Sequence, residues 1–128
     1  MSTKLNGFQD KNYLYLGIDI GSTTAKIVLI DGGDILYECY ERHFSQVRQK
    51  SLELVGRLAK YMNGRPIKAA ISGSAGLGMA RAASLPFVQE VFATGEAVKM
   101  LEPDTSAVIE LGGEDAKVLF LKGGTEER

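Results

Sequence analysis

Residues 13–20 and 24–30 are both rich in β-branched and aromatic side chains, and only Gly21, Ser22 and Thr23 separate them. That reads as strand, tight turn, strand. The two common glycine-rich phosphate loops, the Walker loop and the dinucleotide fingerprint, both lead from a strand into a helix, so P-loop and Rossmann folds fit poorly. Asp31-Gly-Gly-Asp34 follows as a hairpin signal, because glycine supplies the positive φ of primed turns, and residues 35–42 then alternate as a third strand. Three antiparallel strands open the chain.

Beyond them, Ser45 is expected to cap a helix in which Val47, Ser51, Leu54, Val55, Leu58, Ala59 and Met62 form one buried stripe, closed by Gly64 and Pro66. Residues 67–72 read as a short strand ending in Gly73-Ser-Ala-Gly76-Leu-Gly78, with a brief helix over 79–84. Residues 87–92 read as another strand, and Thr94 is expected to cap a helix carrying Ala97, Val98 and Leu101 that Pro103 stops. The order is βββαβαβα. Two strand-like runs, 106–111 and 116–121, are joined by Gly112-Gly113-Glu114-Asp115 and begin a new hairpin, and the tail 122–128 lacks apolar residues and reads as an exposed end or a cut inside a longer protein. The domain expectation is an extended or disordered stretch over 1–12, a first subdomain over 13–104, and the truncated start of a second over 105–128.

Composition narrows the partners. With 15 basic and 16 acidic residues and a net charge of −1, the chain has no electrostatic footprint for nucleic acid or an anionic membrane. No apolar run approaches the roughly 18 residues of a membrane span. Cys39 is the sole cysteine, so neither an internal disulfide nor a cysteine-based metal site can be built, and a cytoplasmic location is expected.

The chemistry sits in two hairpins that each put an acid at a strand end before a small-residue turn: Asp19-Ile-Gly21-Ser22-Thr23-Thr24 and Glu110-Leu-Gly112-Gly113-Glu114-Asp115. Glycine lets backbone N–H groups approach an anion, and the three hydroxyls add donors. An acid at the strand end can hold Mg²⁺ directly or through its waters, and Asp19 is the natural candidate, with Lys26 as a nearby cation. A tight hairpin with capping hydroxyls is the ordinary reading of one such turn. Two of them flanking a βαβα segment favour a phosphate clamp, which needs opposing loops.

Gly17-Ile-Asp-Ile-Gly-Ser-Thr-Thr-Ala-Lys26 resembles the first phosphate motif of the acetate kinase, sugar kinase, heat-shock chaperone and actin superfamily. The resemblance implies a ribonuclease H-like, actin-like ATPase fold with a mixed α/β sheet. Within that superfamily, Ser72-Gly-Ser-Ala-Gly76 and Ile109-Glu-Leu-Gly-Gly-Glu-Asp-Ala-Lys117 look like the activator ATPases of 2-hydroxyacyl-CoA dehydratases and benzoyl-CoA reductases, over about residues 14–121. The family implies ATP hydrolysis coupled to electron transfer into a dehydratase-type partner enzyme, by a homodimer that holds one [4Fe–4S] cluster between subunits. Carried over by position, Asp19 organises Mg²⁺, residues 21–24 contact the ATP or ADP phosphates, Gly73 lines the nucleotide cleft, and Gly112, Gly113 and Glu114 form the second phosphate loop. Glu110 and Asp115 supply the acid that partners the attacking water. Glu110 departs from the aspartate usual there and, with Glu114, looks more like the activator-like modules of long multidomain proteins. The cluster cysteines of the family follow the second hairpin, so the parent protein is expected to supply them, together with half of the adenosine pocket.

Blander readings apply elsewhere. His43 reads as a solvated loop residue, Cys39 as a core thiol, Met79 and Met100 as packing residues, and Glu90 and Glu96 as water-facing or helix-capping. The glycines over 73–78 either line the cleft or let a helix pack close to the sheet. The rivals to the activator are a small-molecule kinase of the same superfamily and a non-hydrolysing nucleotide-binding or scaffold module.

Overall fold

The computed structural model describes residue 10 and residues 12–112, 115–122 and 125–127, with residues 122 and 125–127 described by backbone alone. Gly113, Glu114 and most of the stretch 1–12 lie outside the described residues. Four strands, β1 (Leu14–Ile20), β2 (Thr24–Asp31), β3 (Asp34–Arg42) and β4 (Ile67–Ser72), form one mixed sheet in the order β3-β2-β1-β4. β1 sits inside it, antiparallel to β2 and parallel to β4. The β2–β3 turn is made as its glycines demand, with φ of 57° at Gly32 and 91° at Gly33.

The strands alternate between two faces. Leu14, Ile18 and Ile20 of β1, Ala25, Ile27 and Leu29 of β2 and Ile71 of β4 are buried in one cluster with Leu54, Leu58 and Ala80. Each large member contributes about 1.5–3 kcal/mol by leaving water. The opposite face carries Gly17 and Asp19, Lys26 and Val28, Glu38 and Tyr40, and Ala70 and Ser72. Because a one-residue slip would exchange the faces, the apolar set fixes the side on which the polar set appears.

Several helical expectations are corrected. The single helix expected from Ser45 is two, α1 (Val47–Gly56) and α2 (Ala59–Met62). Gly56 is a poor helix former, and bonding there tightens to Leu58 N–H on Val55 O (3.0 Å) and Tyr61 N–H on Leu58 O (2.9 Å). Leu58 thereby reaches the core, while Val55 and Ala59 stay exposed. Ser45 caps nothing; its φ is 62° and Gln46 precedes the helix without a side-chain cap. α3 (Leu77–Ala83) starts slightly earlier than expected. The strand expected over 87–92 shrinks to one parallel bridge between Phe87 and Ile71, and α4 (Glu90–Leu101) starts well before Thr94. Val91, Phe92 and Val98 suit either structure by composition, and Glu90 in the first turn favours the helix through its dipole.

β5 (Ala107–Leu111) and β6 (Ala116–Lys122) form the expected hairpin, but the tail is not a loose end: β7 (Thr125–Glu127) pairs antiparallel with β6. Backbone pairing along an open edge needs no apolar side chain, so composition could not reveal it. Leu119 of this sheet is buried, whereas Ile109, Leu111, Val118 and Phe120 on the other face are all exposed. Among the described residues no helix is long and apolar enough to cross a membrane.

Candidate functional site

Asp19 stands one residue from the end of β1, with both carboxylate oxygens engaged. Ser72 Oγ donates to Oδ1 (2.8 Å) and Lys26 Nζ to Oδ2 (2.9 Å). Both partners follow from register, since Asp19 lies opposite Lys26 on β2 and Ser72 on β4. The ion pair is about one-third exposed, so its role is to orient the carboxylate, and its stabilisation is roughly 0.2–1 kcal/mol. Lys26 also lies 5.2 Å from the centre of the Tyr40 ring.

The turn after β1 is closed by the Gly21 N–H on the Thr24 carbonyl (2.9 Å). The Ser22 and Thr23 amides have no acceptor among the described residues. Gly73 (φ 100°) packs against this strand end so closely that a Cβ there would stand 2.2 Å from Ile20 O, and Ala75 N–H donates to the same carbonyl (2.9 Å). A Cβ on Gly76 would meet Ser72 O at 2.5 Å. Close packing of the β4–α3 connection therefore requires these two glycines, whereas Gly78 has open space around it.

Asp19, Lys26 and Ser72 line a cleft of about 820 Å³, within the size range of small-molecule sites. Its far wall is α4 (Glu90, Ala93, Thr94, Ala97) and its rim includes Glu110 of β5. The two hairpin acids thus converge: Glu110 accepts from Thr94 Oγ1 (3.4 Å), and Lys117 on β6 pairs with Glu90 on α4. That contact raises the Lys117 pKa, chiefly through the hydrogen bond to Glu90. Gly112 and Asp115 close the second turn, with Gly112 N–H on Asp115 O (2.8 Å), but they do not line the cleft; Asp115 is exposed, 3.9 Å from Lys117. Gly21 and residues 22–24 border the strand end rather than the cleft wall.

Two residues outside these motifs read differently in space. His43 is not solvated: it is 4% exposed, with Nε2 2.8 Å from the Gly21 carbonyl and Nδ1 accepting from the Ser45 N–H (3.0 Å). The Gly21 carbonyl lies in another turn, 22 residues away, and no local pattern announces it. Glu90, expected to face water or cap a helix, is instead half of the clamp that holds the second hairpin on α4. Cys39 packs against the core cluster; its thiol donates to Glu41 (2.5 Å), Arg57 donates to its sulfur (3.4 Å), and burial pushes its pKa up. Among the described residues no group of three or more His, Cys, Asp or Glu side chains is arranged to hold a metal by itself.

No protein-family description matches the sequence, and no curated protein does. Solved structures do. Component A of (R)-2-hydroxyglutaryl-CoA dehydratase from Acidaminococcus fermentans superposes with a TM-score of 0.75 at 21% identity, over 91% of this chain and 46% of that one. The activator of 2-hydroxyisocaproyl-CoA dehydratase from Clostridium difficile, solved with ADPNP bound, gives 0.69 at 25% identity, over 90% and 44%. The chain is built like part of a dehydratase activator. It shares the actin-like ATPase fold, of ribonuclease H-like type, also with the Aquifex aeolicus Ppx/GppA phosphatase, at a TM-score of 0.57 and 15% identity over 91% of this chain and 50% of that one. The chain spans less than half the length of the two activator-type proteins it matches.

Proposed function

We propose that this activator-like chain is the nucleotide-binding half of an ATPase module that drives an electron into a dehydratase-type enzyme. The observation that carries the nucleotide reading is the meeting of Asp19, Lys26, Ser72 and Glu110 on one cleft, beside a turn whose Ser22 and Thr23 amides have no acceptor among the described residues and can donate to an anion. The ADPNP in the similarly folded Clostridium difficile activator supports the same ligand class.

Oxygen donors dominate the site, which suits Mg²⁺, an ion that keeps several waters and binds through one or two carboxylates and the phosphates. Asp19 would hold it, and it would neutralise phosphate charge when bound. The chain's own groups do the rest. Ser72 fixes the Asp19 carboxylate, residues 21–24 bind the phosphates, Lys26 supplies a cation beside them, and Glu110 across the cleft holds the attacking water. Gly73, Gly112, Gly113 and Glu114 keep the nucleotide-binding roles that the motif resemblance assigns, and Asp115, exposed and off the cleft wall, is the second candidate for the acid that partners the water. An iron–sulfur cluster does not fit here, because Cys39 is the only thiol and its sulfur is committed to Glu41 and Arg57. The cluster, the homodimer and the cytoplasmic setting belong to the proposal for the parent protein.

Residues 13–104 form the first subdomain in this reading and residues 105–128 begin a second. The uncovered apolar face of Ile109, Leu111, Val118 and Phe120 supports that division, since such a face is usually packed. The test is calorimetric titration with Mg-ATP of the wild-type chain and of Asp19→Asn. The wild type is expected to bind and the variant to lose its magnesium-dependent affinity; equal binding by both removes Asp19 from the site.

A further inference from the structure

The nucleotide reading leaves one buried, titratable side chain unused. His43 joins the β3–α1 connection to the β1–β2 turn at three points: Nε2 to the Gly21 carbonyl (2.8 Å), its own N–H to the Thr23 carbonyl (3.1 Å), and Nδ1 to the Ser45 N–H (3.0 Å). The last contact fixes the tautomer. A backbone N–H can only donate, so Nδ1 is bare; the Gly21 carbonyl can only accept, so Nε2 carries the proton and donates. This tautomer satisfies both partners.

A second observation points the same way. Phe44 and Ser45, directly after His43, both hold positive φ (50° and 62°) although neither is glycine. Such backbone is strained for a residue with a Cβ and persists where surrounding structure over-determines it. Here the left-handed pair turns the Ser45 amide back onto the imidazole. Phe44 itself is exposed, so burial of its ring does not account for the bend.

We infer that His43 is a positioning residue: by holding the Gly21 and Thr23 carbonyls against the β3–α1 connection, it keeps the Gly21–Ser22 and Thr23–Thr24 peptide units oriented, with the free Ser22 amide toward an incoming phosphate. A peptide unit is planar, so pinning the Gly21 carbonyl also sets the direction of the Ser22 N–H on its other side. Pinning the Thr23 carbonyl does the same for the Thr24 N–H. The inference rests on the nucleotide reading for its functional half and on geometry alone for its structural half.

Two variants separate these halves. His43→Asn keeps an acceptor where Nδ1 stands but cannot reach Gly21, whereas His43→Gln places an amide N–H where Nε2 stands. Hydrogen exchange of the hydrogen-bonded amides of Gly21 and of residue 43, without nucleotide, is expected to speed up on the order of tenfold in H43N, the loss of about one hydrogen bond, and to stay near wild type in H43Q. Mg-ATP affinity, by calorimetry, is expected to fall on the order of tenfold in H43N and to be restored in H43Q. Unchanged exchange in H43N overturns the latch. Faster exchange with unchanged Mg-ATP affinity overturns the positioning role. Absence of Mg-ATP binding by the wild type overturns the nucleotide reading and the functional half with it, while the exchange comparison still decides the latch. Should H43N not fold, nitrogen-15 NMR of the wild-type imidazole decides the latch: a protonated Nε2 and bare Nδ1 are expected, and the opposite tautomer overturns it.

Discussion

Gly73→Ala is the sharpest probe of how the strand end that carries Asp19 is fixed. A Cβ added at residue 73 would lie 2.2 Å from the Ile20 oxygen, 2.5 Å from its carbonyl carbon and 2.7 Å from its nitrogen. All three are backbone atoms of the central strand, so no side-chain rotation relieves the clash. The φ of 100° adds a penalty of roughly 1–3 kcal/mol for a residue with a Cβ, and the overpacking adds roughly 1–3 kcal/mol more. A loss of about 2–6 kcal/mol is expected, a large part of the 5–15 kcal/mol that typically holds a domain together. Gly78→Ala, five positions along the same connection, is the control. Nothing lies within 4 Å of its added methyl and it sits in α3, so a gain of up to about 1 kcal/mol is expected. Urea unfolding followed by far-ultraviolet circular dichroism measures both. If Gly73→Ala falls within about 1 kcal/mol of wild type, the close approach of the two backbones is not what holds this junction.

Other outcomes follow from separate parts of the molecule. Hydrogen bonds from Arg57, then Cys39 and Lys50, hold the Glu41 carboxyl down at about 2, from an ordinary 4.5. A depressed carboxyl contributes stability above its unfolded pKa and loses it as pH falls, so thermal melting is expected to drop between about pH 4.5 and 2, and Glu41→Gln to flatten that drop. Leu54→Ala removes a side chain that is 1% exposed at the centre of the core and is expected to cost roughly 2–5 kcal/mol in urea unfolding. Ser84→Gly, at an exposed position of φ 54° that ends α3, is expected to raise stability by about 1 kcal/mol in the same assay.

The opening meander was legible because its signals are local: alternation sets the faces of β1 and β2, and the paired glycines at 32 and 33 demand their hairpin. The cleft acids were also legible, since Asp19 and Glu110 both stand at strand ends before glycine. Residues 87–92 were not, because Val and Phe serve a strand and an apolar helix face equally well, and only Glu90 hints at the helix start. His43 was misread for a different reason. Its burial depends on a carbonyl 22 residues away, which no window of sequence contains. Glu90 likewise gains its meaning from Lys117, 27 residues on.

The interior place of β1 has a mechanical consequence. Ladders on both flanks tie it to β2 and β4, so Asp19 and the turn behind it cannot shift without tearing two sets of rungs. The Glu110 hairpin meets α4 through side chains, on the face that carries the Lys117–Glu90 pair, the Thr94–Glu110 contact and buried Leu119. One wall of the cleft is therefore set by backbone pairing and the other by side-chain contacts, so single substitutions are expected to displace Glu110 more readily than Asp19.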